Sequence, residues 1–80
     1  MAAESPTRLQ KHSVSIAGHR TSITLEAAFW EALGALARQR STTVAALIAE
    51  IDRSREADPA RPNLSSAIRV YVLKGIAGRI

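Results

Sequence analysis

Apolar and polar residues alternate in two short stretches near the start of the chain. Val14 and Ile16 are apolar between polar neighbours in the first stretch, and Ile23 and Leu25 repeat the pattern in the second. A period of two is typical of a β-strand that buries one face. We therefore predict two strands, at about residues 12–17 and 20–25.

The two predicted strands are out of phase with each other. The apolar residues occupy even positions before Ala17-Gly18-His19 and odd positions after it. A strand that keeps one face buried changes parity only through a bulge or a turn, and Gly18 suits either. The sequence leaves two alternatives open, namely one bulged strand or a hairpin.

Three later stretches have the apolar spacing of amphipathic helices. In the first, Phe29, Leu33 and Leu36 form one stripe among helix-favouring alanines. Thr43 is a suitable N-cap for the second helix, and a Pro-containing loop precedes the third. The predicted helices cover about residues 26–39, 43–55 and 64–77.

The chain is expected to form a single domain because it has only 80 residues. Residues 1–10 are polar, contain a proline and show no period, which predicts a flexible N-terminal arm. The domain itself would then cover residues 11–80. The fold class expected from these elements is mainly α with a short β-ribbon and a third, C-terminal helix.

The strand ahead of the first helix needs a hydrogen-bonding partner, because unpaired backbone groups are costly when buried. The simplest partner is the same strand in a second copy of the chain, which predicts an intertwined homodimer or a higher homo-oligomer. A two-stranded ribbon fits the major groove of DNA. The net charge of +4 and the isoelectric point of about 10.7 favour an acidic partner, with double-stranded DNA as the first candidate.

Several classes of function find little support in the sequence. The chain has no cysteine, and His12 and His19 have no carboxylate at ligand spacing, so neither a metal site nor another cofactor is expected. No arrangement of nucleophile and base suggests an enzyme. No apolar run is long enough to span a membrane and no signal peptide is recognisable, so we expect a cytoplasmic location.

The string RTSITL, followed by a helix and a short turn into a second helix, resembles the Arc/MetJ-like ribbon-helix-helix family of bacterial DNA-binding proteins. The stretches SVSIAGHRTSI and NLSSAIRVYVL are similar to small members of alphaproteobacterial type. The resemblance covers about residues 12–75. It implies a transcriptional regulator that places a ribbon in the major groove as a dimer.

The resemblance also implies a set of contact residues. Arg20, Ser22 and Thr24 match the strand positions whose outward side chains touch base edges. The N-terminus of the second helix would hold a phosphate through Thr43 and the backbone N–H groups of Val44 and Ala45, and Lys11 is a further phosphate candidate.

Two positions depart from the family pattern. Ser41 stands where members usually have Gly before the second helix, and Ala45 stands where many have a hydroxyl residue or Asn. Both departures predict a weaker phosphate anchor.

A different class of function stays open beside DNA binding. The same dimeric fold could serve as a protein-interaction module, antitoxin-like or otherwise, with a protein partner in place of DNA. A hairpin at residues 12–25 would give the dimer four strands, and four strands do not enter a groove about 12 Å wide when they lie flat.

Overall fold

The computed structural model describes residues 5–78 and has a short antiparallel β-ribbon followed by three helices. This arrangement confirms the predicted fold class, mainly α with a β-ribbon and a third C-terminal helix. The elements are β1 (Leu9–Ile16), β2 (His19–Glu26), α1 (Ala27–Gln39), α2 (Val44–Ala57) and α3 (Leu64–Ile76).

The parity change along the strands arises from a tight hairpin. β1 and β2 pair antiparallel, with Ile16 opposite His19, so only Ala17 and Gly18 form the turn. Both turn residues have positive φ, +50° at Ala17 and +84° at Gly18, as the favoured type I′ hairpin turn requires. A two-residue turn places even positions of β1 opposite odd positions of β2. The four alternating apolar residues therefore share one face, and the hairpin is the alternative that the structure adopts.

The hairpin corrects the expected origin of the ribbon. We predicted that the strand at 20–25 would find its partner in a second copy of the chain, whereas β2 pairs with β1 of the same chain. The sequence pattern was compatible with both because pairing strength does not depend on which chain supplies the neighbour. The two-stranded ribbon is thus complete within one chain.

The observed boundaries differ from the predicted ones mainly at the N-terminus. β1 begins at Leu9, so the last two residues of the predicted arm belong to the strand. The carbonyls of Pro6 and Arg8 accept hydrogen bonds from the N–H groups of Ala28 and Ala27, which would otherwise lack partners at the start of α1. Residues 1–4 of the predicted arm, and residues 79–80 of the predicted domain, lie outside the described residues.

The core lies between the inner face of the hairpin and the three helices. The hairpin contributes Ile16, Ile23 and Leu25, each at most 8% exposed. The helices contribute the remaining buried residues, Leu33, Leu36, Ala37, Leu47, Ile48, Ile51, Ile68 and Val72. Complete burial of a Leu or Ile side chain stabilises a fold by about 1.5–3 kcal/mol, so this cluster fixes the hairpin against the helices.

The turn between α1 and α2 explains the role of Ser41. The N–H of Thr42 donates to the Ala37 carbonyl and the N–H of Ser41 donates to the Arg38 carbonyl, which is the Schellman pattern at a helix C-terminus. Ser41 has φ of +55°, a conformation in which Gly is favoured. The departure from Gly at this position therefore affects helix termination.

α3 is attached to the end of β2 by polar contacts. Ser65 Oγ donates to the Thr24 carbonyl at 3.0 Å. Arg69 forms a two-pronged ion pair with Glu26, with Nε to Oε1 at 2.9 Å and Nη2 to Oε2 at 3.3 Å. The third helix thus packs on the same side of the molecule as β2. Within residues 5–78, no helix has both the length and the apolar character to cross a membrane.

Candidate nucleic-acid interface

The hairpin has an outer face that points away from the helices and is polar along most of its length. Its side chains alternate with the buried ones, because successive residues of a strand point to opposite sides. We define the outer face by six exposed residues, three from each strand: Lys11, Ser13, Ser15, Arg20, Ser22 and Thr24.

The register places these side chains in three opposed pairs. Lys11 lies opposite Thr24, Ser13 opposite Ser22, and Ser15 opposite Arg20. The hydrogen bond from the Ala27 N–H to the Arg8 carbonyl sets the alternation along the ladder. The three outer-face pairs are therefore non-hydrogen-bonded pairs, in which side chains come closest, with Cβ atoms about 4.5–5.5 Å apart.

The outer face has the size of a short DNA segment. From Lys11 to Ser15 the strand rises about 13 Å, which equals the axial length of about four base pairs. Two paired strands lie about 4.8 Å apart, which leaves room for side chains within a major groove about 12 Å wide. The hairpin alone is thus narrow enough for the groove, unlike a flat four-stranded sheet.

The charges on the outer face are positive. Lys11 and Arg20 stand at opposite ends of opposite strands, and hydroxyl groups lie between them. The nearest acidic residue on this side of the hairpin, Glu26, is held by Arg69, and the hydrogen bond from that guanidinium lowers the pKa of the Glu26 carboxyl below its ordinary value. The face therefore offers two cations and four hydroxyls, which can donate and accept hydrogen bonds.

The N-terminus of α2 forms a second polar feature. Thr43 is the N-cap, and its Oγ1 accepts a hydrogen bond from the Ala46 N–H at 3.0 Å. The first backbone hydrogen bond runs from the Leu47 N–H to the Thr43 carbonyl. The N–H groups of Val44 and Ala45 precede it and have no acceptor within the helix, which is the arrangement that binds anions at helix N-termini.

The structure brings together some of the predicted site residues and leaves the others apart. Arg20, Ser22, Thr24 and Lys11 share the outer face. Thr43, Val44 and Ala45 lie on a different element, and within residues 5–78 no hydrogen bond or ion pair connects them to that face.

Ser13 and Ser15 were missed as site residues. They join the outer face because β1 folds back beside β2. The parity change across Ala17-Gly18 carried the signal, since a two-residue turn would place both serines beside Arg20 and Ser22. Within the described part of the chain, no three potential metal-ligating side chains are grouped.

Comparisons with known proteins agree with this geometry. A family model described as "Ribbon-helix-helix domain" matches residues 9–76, which includes the hairpin and all three helices. Among solved structures, an uncharacterized protein from Bordetella pertussis Tohama I is similar to the chain, with a TM-score of 0.74 and 28% sequence identity. The match covers 99% of this chain and 67% of that one. No curated protein matches the chain.

Proposed function

Because the chain belongs to the ribbon-helix-helix domain family, we propose that it is a DNA-binding transcriptional regulator whose hairpin enters the major groove. Members of this family generally bind DNA as dimers and are typically regulators without enzymatic activity. The observation that carries the proposal for this chain is the exposed outer face, where two cations and four hydroxyls stand on a ribbon narrow enough for the groove. A cytoplasmic location, where DNA is accessible, is part of the same proposal.

Each residue of the outer face has a proposed role. Arg20 reads guanine, because a guanidinium donates two hydrogen bonds to O6 and N7. Ser22 and Thr24 contact neighbouring base edges, and Ser13 and Ser15 add hydroxyls from β1 that contact bases or phosphates. Lys11 contacts a phosphate from the far end of the ribbon.

The backbone clamp is assigned to the N-terminus of α2. The N–H groups of Val44 and Ala45, together with the Thr43 hydroxyl, are proposed to hold one phosphate group, where the positive end of the helix dipole favours an anion. Phosphate contacts of this kind set the position of a protein on DNA, whereas base contacts determine the sequence.

Titrations of a fluorescent duplex test the proposal. Wild-type protein should bind random-sequence duplex DNA with an affinity that falls steeply as salt rises. Arg20→Ala should weaken binding to a selected site by about 1–3 kcal/mol and relax discrimination at one base pair. Arg53→Ala, which removes an exposed arginine of α2, is the matched control and should change affinity far less.

Failure of these titrations would favour the other class of function. If the wild-type protein did not bind duplex DNA even at low salt, the ribbon would be a scaffold and the chain a protein-interaction module. Equal losses for Arg20→Ala and Arg53→Ala would reject the outer face as the reading surface.

A further inference from the structure

A second surface of the molecule is exposed and apolar. It lies between two helices and is formed by Ala28, Phe29 and Ala32 of α1 with Val70, Leu73 and Ile76 of α3; we call it the α1–α3 face. Leu73 is 66% exposed and Ile76 is 68% exposed, although the same helix buries Ile68 and Val72 completely or nearly so. A contiguous apolar patch of this kind marks a contact site in a soluble domain.

The charge of the α1–α3 face argues against nucleic acid as its occupant. Arg69 is the one charged residue that lines the groove among the described residues. Its guanidinium is engaged by Glu26 and lies 5.9 Å from the centre of the Phe29 ring. The cation is therefore already paired, and the face has no charge to offer to phosphates.

The shape of the α1–α3 face fits an identical face. The small side chains of Ala28 and Ala32 leave a shallow valley on α1, and the exposed side chains of Leu73 and Ile76 form a ridge beside it on α3. A two-fold symmetric interface uses the same patch on both subunits, so the patch must contain both a projection and a recess. Ridge and valley meet this condition, because each copy can place its ridge over the valley of the other.

The edge of β2 gives a second reason to place the partner here. An unpaired strand edge is the usual place for two ribbons to join, but α3 covers part of this one, because Ser65 already donates to the Thr24 carbonyl. Arg69 continues the cover at Glu26, the last residue of β2. A second copy therefore finds a shortened strand edge but an open apolar surface next to it.

We propose that the α1–α3 face binds the same face of a second copy of the chain, so that the third helix forms the dimer contact. This inference deepens the proposed function, since it supplies the dimer in which two hairpins would bind DNA. It assigns dimerisation and DNA reading to different surfaces. Each can consequently be removed without the other.

Two substitutions on this face test the proposal. Leu73→Lys replaces an exposed ridge residue with a charged one, and Ala28→Glu puts a carboxylate into the valley. Ala28 lies in the first turn of α1, where a negative charge suits the helix dipole, so this variant is expected to fold. Leu9→Lys is the matched control, because Leu9 is 59% exposed and lies on the hairpin.

Sedimentation over a range of concentrations provides the measurement, with circular dichroism as the check on folding. The wild type and Leu9→Lys should sediment at twice the 8.6 kDa chain mass, while Leu73→Lys and Ala28→Glu should raise the dimer dissociation constant by at least about tenfold. A monomeric wild type, or folded variants that dimerise like the wild type, would overturn the assignment.

DNA binding separates this proposal from the previous one. Arg20→Ala should lose DNA affinity and stay dimeric. A chain that dimerises through this face without binding DNA would refute the proposed regulator only, whereas a DNA-binding dimer that tolerates Leu73→Lys would refute only the proposed interface.

Discussion

The outer face of the hairpin and the α1–α3 face are both exposed, yet they have opposite chemistry. The first presents hydroxyls with Lys11 and Arg20, and the second presents aliphatic and aromatic side chains. Glu26 and Arg69 lie between them and neutralise each other. The comparison teaches that an 80-residue chain can keep a surface suited to phosphates apart from one suited to a protein.

The separation depends on the hairpin and on α3 together. Pairing within the chain gives the ribbon its own second strand, so that the polar face has two rows of side chains without a partner chain. α3 then fills the core with Ile68 and Val72 and leaves its other side open. A ribbon with only two helices would lack the α1–α3 face altogether.

The largest expected effect comes from removing both cations of the polar face. The double variant Lys11→Ala with Arg20→Ala should weaken DNA binding by more than tenfold, and the slope of log affinity against log salt should become shallower by about 1.8, at about 0.9 for each lost phosphate contact. Fluorescence anisotropy at several salt concentrations measures both. The double variant Arg53→Ala with Lys74→Ala has the same charge change elsewhere, and an equal loss there would mean that net charge alone drives binding.

Removing the hydroxyls sharpens the comparison, because it leaves the charge unchanged. Ser13→Ala with Ser22→Ala should reduce discrimination between a selected site and a mismatched one by about 1–2 kcal/mol, since each lost hydrogen bond contributes about 0.5–1.5 kcal/mol. Competition titrations with the two duplexes measure the difference. Unchanged discrimination would restrict base reading to Arg20.

The turn of the hairpin provides a prediction for the polar face alone. Ala17 has φ of +50°, a conformation that costs an alanine about 1 kcal/mol or more, whereas Asn tolerates it. Ala17→Asn should therefore raise the free energy of unfolding by about 1 kcal/mol, as measured by urea denaturation. Gly18→Ala, at φ of +84°, is the opposite control and should destabilise. A destabilising Ala17→Asn would contradict the type I′ turn.

The smallest effect is expected at the ion pair between the two faces. The hydrogen bond from Arg69 lowers the pKa of Glu26 below its ordinary value of 4.5, so the folded state holds the ionised carboxylate in preference to the protonated one. The resulting stabilisation is present above the ordinary pKa and is lost as the pH falls through the lowered pKa. Glu26→Gln should remove this part of the pH dependence.

Denaturation of both proteins at pH 7 and at acidic pH tests the effect. The difference in stability between the wild type and Glu26→Gln should shrink at the acidic pH, whereas Glu56→Gln, at the exposed end of α2, should show no such change. A difference that stayed constant with pH would mean that the ion pair contributes nothing.

Much of the fold could be predicted from local patterns. The stripe of Leu33 and Leu36 located α1, and Thr43 marked the start of α2, because periodicity and capping depend on neighbouring residues alone. The partner of β2 could not be predicted in this way, since a strand pattern does not reveal which chain pairs with it. The parity change at Ala17-Gly18 narrowed the choice to a bulge or a turn, and the two positive φ angles resolve it.

The candidate site was predicted in the same uneven manner. Arg20, Ser22 and Thr24 follow from the alternation of β2, and the structure places them on one exposed face. Ser13 and Ser15 required the hairpin register, and the α1–α3 face required knowledge of which side of α3 packs inward. Both are tertiary facts that no local pattern contains.

Backbone amide chemical shifts of the isotopically labelled protein, followed as duplex DNA is added, test the account most directly. We expect the largest changes at Lys11, Ser13, Arg20 and Ser22, reversal of those changes at high salt, and little change at Leu73 and Ile76. Changes centred on α1 and α3 with an undisturbed hairpin, or no changes at low salt, would contradict the assignment of the hairpin as the DNA-reading surface.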